Sequence, residues 1–334
     1  MTLASRITPG ERLQALRACL DDQGFARIIE AHSGLSGIIA EHAQVEKDGV
    51  CLAFDGLWES SLTDSASKGY PDASIVGYDS RLHTINEILN VTTKPLIVDG
   101  DTGGDPMQFA YFVKHLERLG VSAVIIEDKA YPKRNSLDAS ARQDLEDPIV
   151  FADRIQSGKA VTLSDAFMII ARLESLVAGQ GLQDAQARAE QYILAGVDGI
   201  MIHSNQHDPT EILAFAEAYG PLCQRLGRRP TLVCVPTTYN TLTEADLLAH
   251  GFNIIIHANH LLRAAYKAMH KAARSILESG RSLEANALCA PVADIFASVG
   301  FDDITHKDRE RDDALSLLRT TRGIARAQNL HTHR

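Results

Sequence analysis

The chain has 334 residues, of which 45% are hydrophobic and 23% charged, and its formal net charge is −10. These values are typical of a globular protein with a large core, and the acidic balance argues against nucleic acid as a partner. No apolar run is long enough for a membrane span or a signal peptide, and the five cysteines form no CxxC pair, so we expect a cytoplasmic protein.

A predicted N-terminal helical segment, residues 1–25, is followed by eight short apolar segments that predict β-strands. Most of these segments are apolar throughout, which is typical of parallel strands buried on both faces. Helical patterns separate several of them, at Met107–Leu119, Leu182–Ala195 and Pro209–Tyr219. The predicted strands are Ala26–Ala31, a segment ending near Leu57–Trp58, Pro95–Asp99, Ala123–Glu127, Phe167–Arg172, Gly199–His203, Thr231–Val235 and Asn253–His257.

This alternation predicts an α/β protein with a (β/α)8 TIM-type barrel as its catalytic domain, over residues 26–260. A doubly wound open sheet is the alternative, but the glycine-rich phosphate loop expected after its first strand is missing. The segment Gln44–Asp55 predicts an inserted β-hairpin that turns at Lys47-Asp48-Gly49.

The C-terminal region, residues 261–334, is predicted to be helical. Its helical patterns cover Leu261–Leu277, Val292–Ala297 and Asp312–Ala327. Because one barrel needs only one helix after its last strand, we expect this region to pack on a neighbouring subunit.

Charged residues stand at the carboxyl ends of most predicted strands, where barrel enzymes place their catalytic groups. Asp99 and Asp101 are two residues apart, so on an extended strand they point the same way. Paired carboxylates favour Mg²⁺ or Mn²⁺, with Glu127 and Glu174 available to complete the shell through water. The alternative is a simple turn after the strand.

Arg172 ends an apolar strand, and a buried guanidinium needs an anionic partner. A substrate carboxylate or phosphoryl group would serve, and a structural ion pair with Glu174 or Asp101 is the alternative. His203, at the next strand end, could donate to the same anion or be a structural histidine.

The loop that starts at Glu127 and runs to about Asp147 is long and highly charged, as lids above barrels often are. Lys133, Asn135 and Ser136 supply donors suited to a phosphoryl group. Composition alone favours the alternative, a solvated charged loop.

This loop resembles the EDKxxxKxNS signature of the phosphoenolpyruvate mutases, a family of the isocitrate lyase superfamily. The resemblance covers residues 26–271. The matching segments are Glu127-Asp128-Lys129-x-x-x-Lys133-x-Asn135-Ser136, Glu30 to Ser36, Asp99-x-Asp101-Thr102-Gly103, Ala171 to Ser175, His203-Ser204, Val235-Pro236-Thr237 and Ala258-Asn259-His260-x-x-Arg263-Ala264.

The resemblance implies an enzyme that interconverts phosphoenolpyruvate and phosphonopyruvate. It implies Mg²⁺ held by Asp99, Asp101 and Glu127, mostly through waters. It also implies a homotetramer or homodimer in which a C-terminal helix is exchanged between subunits. A downstream enzyme that consumes phosphonopyruvate, such as a decarboxylase, is implied as well.

The resemblance further implies roles for individual side chains. The implied groups are Trp58 lying over the substrate, Ser60 with the backbone of Ser61 and Leu62 binding its carboxylate and phosphoryl group, Arg172 and His203 holding its oxygens, Asp72 near the reacting centre, and Lys133, Asn135 and Ser136 on the gating loop.

Three departures from the family pattern and three rival functions stay open. Many members have Gly-Ser-Gly where this chain has Glu59-Ser60-Ser61, and the shortest members lack the 44–55 insertion. The tail after about Gly300 lies outside the resemblance and has no assigned role. Phosphonopyruvate hydrolases typically carry Thr at the position of Asn135, whereas isocitrate and methylisocitrate lyases carry a KKCGH-like loop with a cysteine. A non-catalytic scaffold is the third alternative.

Overall fold

The computed structural model describes residues 7–138 and 140–331, with side chains as far as residue 320. Eight parallel strands close into a barrel in the order β1-β10-β9-β8-β7-β6-β5-β4, and β4 pairs with β1 to complete the ring. The predicted TIM-type barrel is therefore confirmed. The barrel strands are β1 (Ala26–Glu30), β4 (Gly56–Glu59), β5 (Leu96–Asp99), β6 (Ala123–Glu127), β7 (Met168–Leu173), β8 (Gly199–Ile202), β9 (Thr231–Cys234) and β10 (Ile254–His257).

The predicted hairpin is also confirmed, as β2 (Gln44–Lys47) paired antiparallel with β3 (Val50–Ala53). Asp48 and Gly49 form its turn with φ of 53° and 77°. Two successive left-handed residues are what a two-residue turn between twisted strands requires, and Asp and Gly tolerate that conformation.

Alternating side chains of the strands divide the core into two layers. Ile97 belongs to the cluster inside the barrel, together with Trp58 and Ile125. The next residue, Val98, packs outward in the layer that holds Phe109 of the surrounding helices. This alternation decides which strand-end side chains face the mouth of the barrel, since Asp99 follows Ile97 by two residues.

Helices follow most barrel strands, and several begin at an N-cap side chain, such as Asp105 accepting from the Met107 N–H. Gly120 ends the helix Pro106–Leu119 at φ 83°, and a Cβ there would lie 2.5 Å from the Pro9 carbonyl oxygen, so only glycine fits. The helices up to the last barrel strand are α1 (Pro9–Gln23), α2 (Gly34–His42), α3 (Ser61–Ser67), α4 (Tyr78–Leu89), α5 (Pro106–Leu119), α6 (Pro148–Lys159), α7 (Gly181–Ala195), α8 (Thr210–Leu226) and α9 (Glu244–Ala249).

The helices α5 and α6 approach each other closely at Gly158. A Cβ at this position would lie 2.4 Å from Phe109 Cε1, inside the buried layer. We expect Gly158→Ala to lower the free energy of unfolding by about 1–3 kcal/mol, the usual cost of overpacking a core. Gly10→Ala is the matched control, since Gly10 is helical and a Cβ there meets nothing within 4 Å. Denaturant unfolding of both variants tests this, and equal stabilities would contradict it.

The chain divides into two compact units: residues 7–267 form one, and residues 268–331 belong to the other. The helices after the last barrel strand are α10 (His260–Ser279), a short 3-10 helix (Glu284–Leu288), α11 (Val292–Ser298) and α12 (Phe301–His331). The helical character of this region is confirmed, and α12 begins 11 residues earlier than the predicted Asp312 start (312 − 301).

The division into residues 1–25, 26–260 and 261–334 stays a prediction, and residues 1–6 and 332–334 lie outside the described residues. Within the described part of the chain, no helix is long and apolar enough to cross a membrane.

Candidate active site

A cavity of about 50 Å³ lies at the carboxyl ends of the barrel strands. Strand alternation explains its composition, because Glu127, Arg172 and His203 each follow an inward-facing residue by two positions. Of the site residues that the family resemblance implies, all but Asp101 line this cavity, and Glu174, the further candidate for the metal shell, does not line it. Those that line it are Trp58, Ser60, Ser61, Leu62, Asp72, Asp99, Glu127, Lys133, Asn135, Ser136, Arg172 and His203.

The ammonium of Lys133 lies among the carboxylates at one side of the cavity. Its Nζ is 2.5 Å from Asp101 Oδ1, 3.1 Å from Asp72 Oδ1 and 3.8 Å from Glu127 Oε1. It also donates to Ser61 Oγ at 2.7 Å. Asp101 therefore belongs to the site through Lys133, although it does not line the cavity itself.

Asp99 is held by the segment that follows β4. Its Oδ2 accepts from the Ser61 hydroxyl at 2.8 Å and from the Ser61 N–H at 3.2 Å, and its Oδ1 accepts from the Asp101 N–H at 3.0 Å. Burial opposes its ionisation, but the charge of Lys133, with Arg81 and Arg172, lowers the pKa of Asp99 to about 2. The carboxylate is therefore ionised at neutral pH.

The donor set suits a hard divalent cation. Carboxylate oxygens of Asp101 and Glu127 converge on the Lys133 ammonium, and Glu127 Oε1 is buried without a hydrogen-bond partner. Mg²⁺ prefers such oxygens and keeps several waters. Within the described ranges, no three His, Cys, Asp or Glu side chains form a ready-made cage. The residues thus fit a Mg²⁺ held by few direct protein ligands.

The opposite side of the cavity is a buried network around Arg172. Its guanidinium pairs through Nε with Glu174, and its Nη2 lies 2.9 Å from both Ser136 Oγ and His203 Nδ1. Burial and the neighbouring Arg172 lower the pKa of His203, so this imidazole is neutral near pH 7. Glu174 lies in this network, and not among the carboxylates proposed to hold the metal. The structure thus contains the ion pair between Arg172 and Glu174 that the sequence analysis gave as an alternative to a substrate anion.

The loop after β6 closes over the cavity. Asn135 Nδ2 donates to Asp72 Oδ2 at 2.6 Å, and Ser136 Oγ donates to Glu174 Oε2 at 2.8 Å. The Lys133 N–H donates to Ser74 Oγ at 3.2 Å, which joins this loop to the segment before α4. The loop is therefore bound to the site, in contrast to the alternative of a solvated charged loop.

Asp128 anchors the base of the loop. Its fully buried carboxylate accepts from the Glu174 N–H at 2.9 Å, from Tyr192 at 2.9 Å and from Arg188 at 3.2 Å. Burial raises the pKa of Asp128 to about 6, against the charge of Arg188.

Three buried charges near the site were not among the predicted site residues. Lys129 is 1% exposed and donates to Ser136 Oγ at 2.5 Å. Arg81 of α4 is 1% exposed and donates to Asp101 Oδ2 at 2.8 Å, and Glu59 is fully buried at the end of β4. Lys129 stands in the loop motif and could have been found there, but no local signal distinguishes Arg81 from a surface helix residue.

Comparison with known proteins gives consistent results. The sequence profile of a family described as phosphoenolpyruvate phosphomutase matches residues 16–277. Phosphonopyruvate hydrolase of Variovorax sp. (strain Pal2) is 38% identical over 289 residues, covering 86% of this chain and 94% of that protein. Phosphoenolpyruvate phosphomutase of Tetrahymena pyriformis is 32% identical over 310 residues, covering 92% and 98%.

Two solved structures share the fold. The crystal structure of phosphoenolpyruvate phosphomutase from Streptomyces platensis subsp. rosaceus superimposes with a TM-score of 0.80 at 35% identity, covering 89% of this chain and 98% of that one. A phosphonopyruvate hydrolase in complex with oxalate and Mg²⁺ gives a TM-score of 0.77 at 35% identity, with coverage of 88% and 97%. The profile spans the whole barrel and the relatives span nearly the whole chain, so this protein belongs to the phosphoenolpyruvate phosphomutase family, within the isocitrate lyase/PEP mutase superfamily.

Proposed function

We propose that the chain is a Mg²⁺-dependent phosphoenolpyruvate mutase, which moves a phosphoryl group between the enol oxygen and C3 of the same pyruvyl unit. The observation that carries the proposal is the position of Asn135, whose amide lies in the cavity wall with Arg172 and His203. Phosphonopyruvate hydrolases typically have threonine at this position of the loop motif, so Asn135 favours the mutase.

The reaction exchanges one bond for another without gain or loss of a proton. The P–O bond of phosphoenolpyruvate breaks, the pyruvate enolate keeps the electron pair, and C3 of that enolate then forms the P–C bond. The transition state of such a transfer is loose, so positioning and charge stabilisation supply most of the catalysis. Mg²⁺, when bound by Asp99, Asp101 and Glu127, would supply positive charge to the enolate oxygens.

Side chains of the protein would hold the phosphoryl group and the enolate. The Arg172 guanidinium and the neutral His203 can hold phosphoryl oxygens, and Trp58, which is 2% exposed, offers an apolar wall to the enolate. Asn135 and Ser136 approach from the loop side, where they can retain the phosphoryl group while C3 turns toward it. Lys133, on the same loop, supplies an ammonium donor that is suited to a phosphoryl group.

Exclusion of water is the central requirement, because water would otherwise take the phosphoryl group. The cavity of about 50 Å³ is walled on one side by the loop residues Asn135 and Ser136, so we expect the loop to move when a substrate enters. The contacts of Asn135 and Ser136 with the barrel support a loop that reseals above the bound substrate.

Phosphorus NMR of phosphonopyruvate incubated with the enzyme and Mg²⁺ tests the proposal. We expect phosphoenolpyruvate as the product, loss of turnover with a chelator such as EDTA, and recovery when Mg²⁺ is added back. Activity that survives chelation would refute the metal assignment, and absence of any reaction would refute the mutase itself.

The second candidate is phosphonopyruvate hydrolase, favoured by the 38% identical relative of that activity. In the same NMR experiment it would give inorganic phosphate and pyruvate instead. The mutase is preferred because Asn135 stands in the motif at the position where hydrolases typically have threonine.

The remaining expectations stay proposals: a homotetramer or homodimer with an exchanged C-terminal helix, a cytoplasmic location, and a downstream enzyme that consumes phosphonopyruvate. Light scattering after size-exclusion chromatography tests the first of these.

A further inference from the structure

A buried arginine lies directly behind the two carboxylates proposed to hold the cation. Arg81 of α4 is 1% exposed, and its guanidinium spans the turn after β5. Nη1 donates to the main-chain carbonyl of Asp99, and Nη2 donates to Asp101 Oδ2 at 2.8 Å. One rigid, planar group therefore contacts both residues at once, which the single ammonium of a lysine cannot do in the same way.

The turn that Arg81 contacts has an unfavourable backbone conformation. Asp101 has φ of 53°, in the left-handed region that non-glycine residues rarely adopt. Such a conformation persists only where surrounding contacts impose it, and it is common at ligand sites. Here the contacts are the Asp101 N–H donating to Asp99 Oδ1 at 3.0 Å and the Arg81 bond to Asp101 Oδ2.

Nearby carboxyl groups stabilise the positive charge of Arg81. Because Trp58 faces the barrel interior, the next residue, Glu59, faces the helical layer that holds Arg81. Burial opposes the charge of the guanidinium, but Asp101, Glu59, Asp99 and Asp64 together raise the pKa of Arg81. Neither carboxylate oxygen of Glu59 has a hydrogen-bond partner among the described residues, and burial raises the pKa of this carboxyl group.

We propose that Arg81 is a positioning residue of the cation site: it fixes the Asp99–Asp101 turn so that Asp101 Oδ1 faces the Lys133 ammonium at the edge of the cavity. This inference rests on the proposed Mg²⁺ site. The guanidinium engages Asp101 through Oδ2, and Oδ1 is the atom that lies 2.5 Å from the Lys133 ammonium, where positive charge is accommodated. Losing Arg81 therefore loosens the carboxylates, even though it also removes a repulsive positive charge.

Loss of positioning would weaken cation binding in an Arg81 variant, whereas loss of the repulsive charge would strengthen it. The change in cation affinity therefore tests the inference. Binding of Mn²⁺ to the full-length chain is measured by the loss of the free-ion EPR signal, in the wild type and in Arg81→Met and Arg81→Lys. We expect both variants to bind Mn²⁺ about 10- to 100-fold more weakly, the usual effect of removing a group that orients metal ligands. If repulsion dominated, Arg81→Met would bind Mn²⁺ as tightly as the wild type or more tightly, and the inference would be overturned.

Arg12→Met and Arg12→Lys are matched controls. Arg12 is a buried guanidinium of α1 that donates to the carbonyls of Leu89 and Thr92, at 3.0 and 2.8 Å, with no contact to the site. We expect Mn²⁺ affinity to be unchanged in these controls, and weakening as large as in the Arg81 variants would assign the effect to general destabilisation. Circular dichroism checks folding, and Arg81→Lys keeps the charge if Arg81→Met does not fold.

Measuring the mutase rate alongside Mn²⁺ binding tests the role of Arg81 independently of the proposed function. A positioning role predicts that Arg81→Lys regains most of its wild-type rate when Mg²⁺ is raised to saturation. Mn²⁺ binding by the wild type without mutase turnover would remove only the proposed function. Failure of the wild type to bind Mn²⁺ would remove both the cation site and the role of Arg81.

Discussion

Asn135→Ala is expected to reduce mutase turnover by at least about 10²- to 10³-fold, the usual loss when one preorganised donor is removed. The amide lines the cavity and donates to Asp72 Oδ2 at 2.6 Å, so its loss removes both a phosphoryl contact and one bond that holds the loop closed. Phosphorus NMR of the product mixture measures the rate. The fold should be unaffected, because Asn135 is only partly buried.

Arg134→Ala is the control for this prediction. Arg134 lies next to Asn135 in the same loop, but its side chain is exposed and bonds only to the neighbouring carbonyls of Pro132 and Lys133. Near-normal turnover is expected for this variant. A near-normal rate in Asn135→Ala as well would count heavily against the mutase assignment.

Arg172→Met is expected to impair both stability and activity. Arg172 contacts Glu174 and lies 3.4 Å from Glu127, and both carboxylates are nearly or fully buried. Removing one partner of a buried ion pair leaves uncompensated charge and typically costs about 3–5 kcal/mol. Turnover should fall by about 10³-fold or more, because the proposed anion-binding group is lost.

The control is Arg225→Met, which breaks an exposed ion pair with Glu190 on another helix. Its side chain is 59% exposed, so we expect a much smaller loss of stability than for Arg172→Met. Denaturant unfolding measures both variants. Equal losses would show that the Arg172 network contributes no more than a surface pair.

Much of the barrel could be predicted because its determinants are local. Each strand is a short apolar run buried on both faces, and the residue two positions beyond an inward-facing side chain also faces inward. This alternation alone brings Asp99, Glu127, Arg172 and His203 to one cavity. The determinants of the hairpin are also local, since Asp48 and Gly49 tolerate the left-handed conformation that its turn requires.

The partners within the site could not be predicted in the same way. Asn135 bonds Asp72 across 63 positions of the chain, and Arg81 bonds Asp101 from a helix rather than a strand end. The partner of Glu174 could not be predicted from the sequence either. The sequence offered it both to the metal shell and to Arg172, and the structure pairs it with Arg172 and His203.

The closed parallel barrel, the inserted hairpin and the set of charged strand ends all follow from patterns in the amino-acid sequence. They do so because apolar periodicity and turn chemistry act between residues close in the chain. The pairing of the charges depends on the three-dimensional packing, which brings together Lys133 with Asp101, Glu174 with Arg172, and Arg81 with the Asp99–Asp101 turn. A buried charge must find a partner wherever packing provides one, and packing brings together residues that are far apart in the sequence.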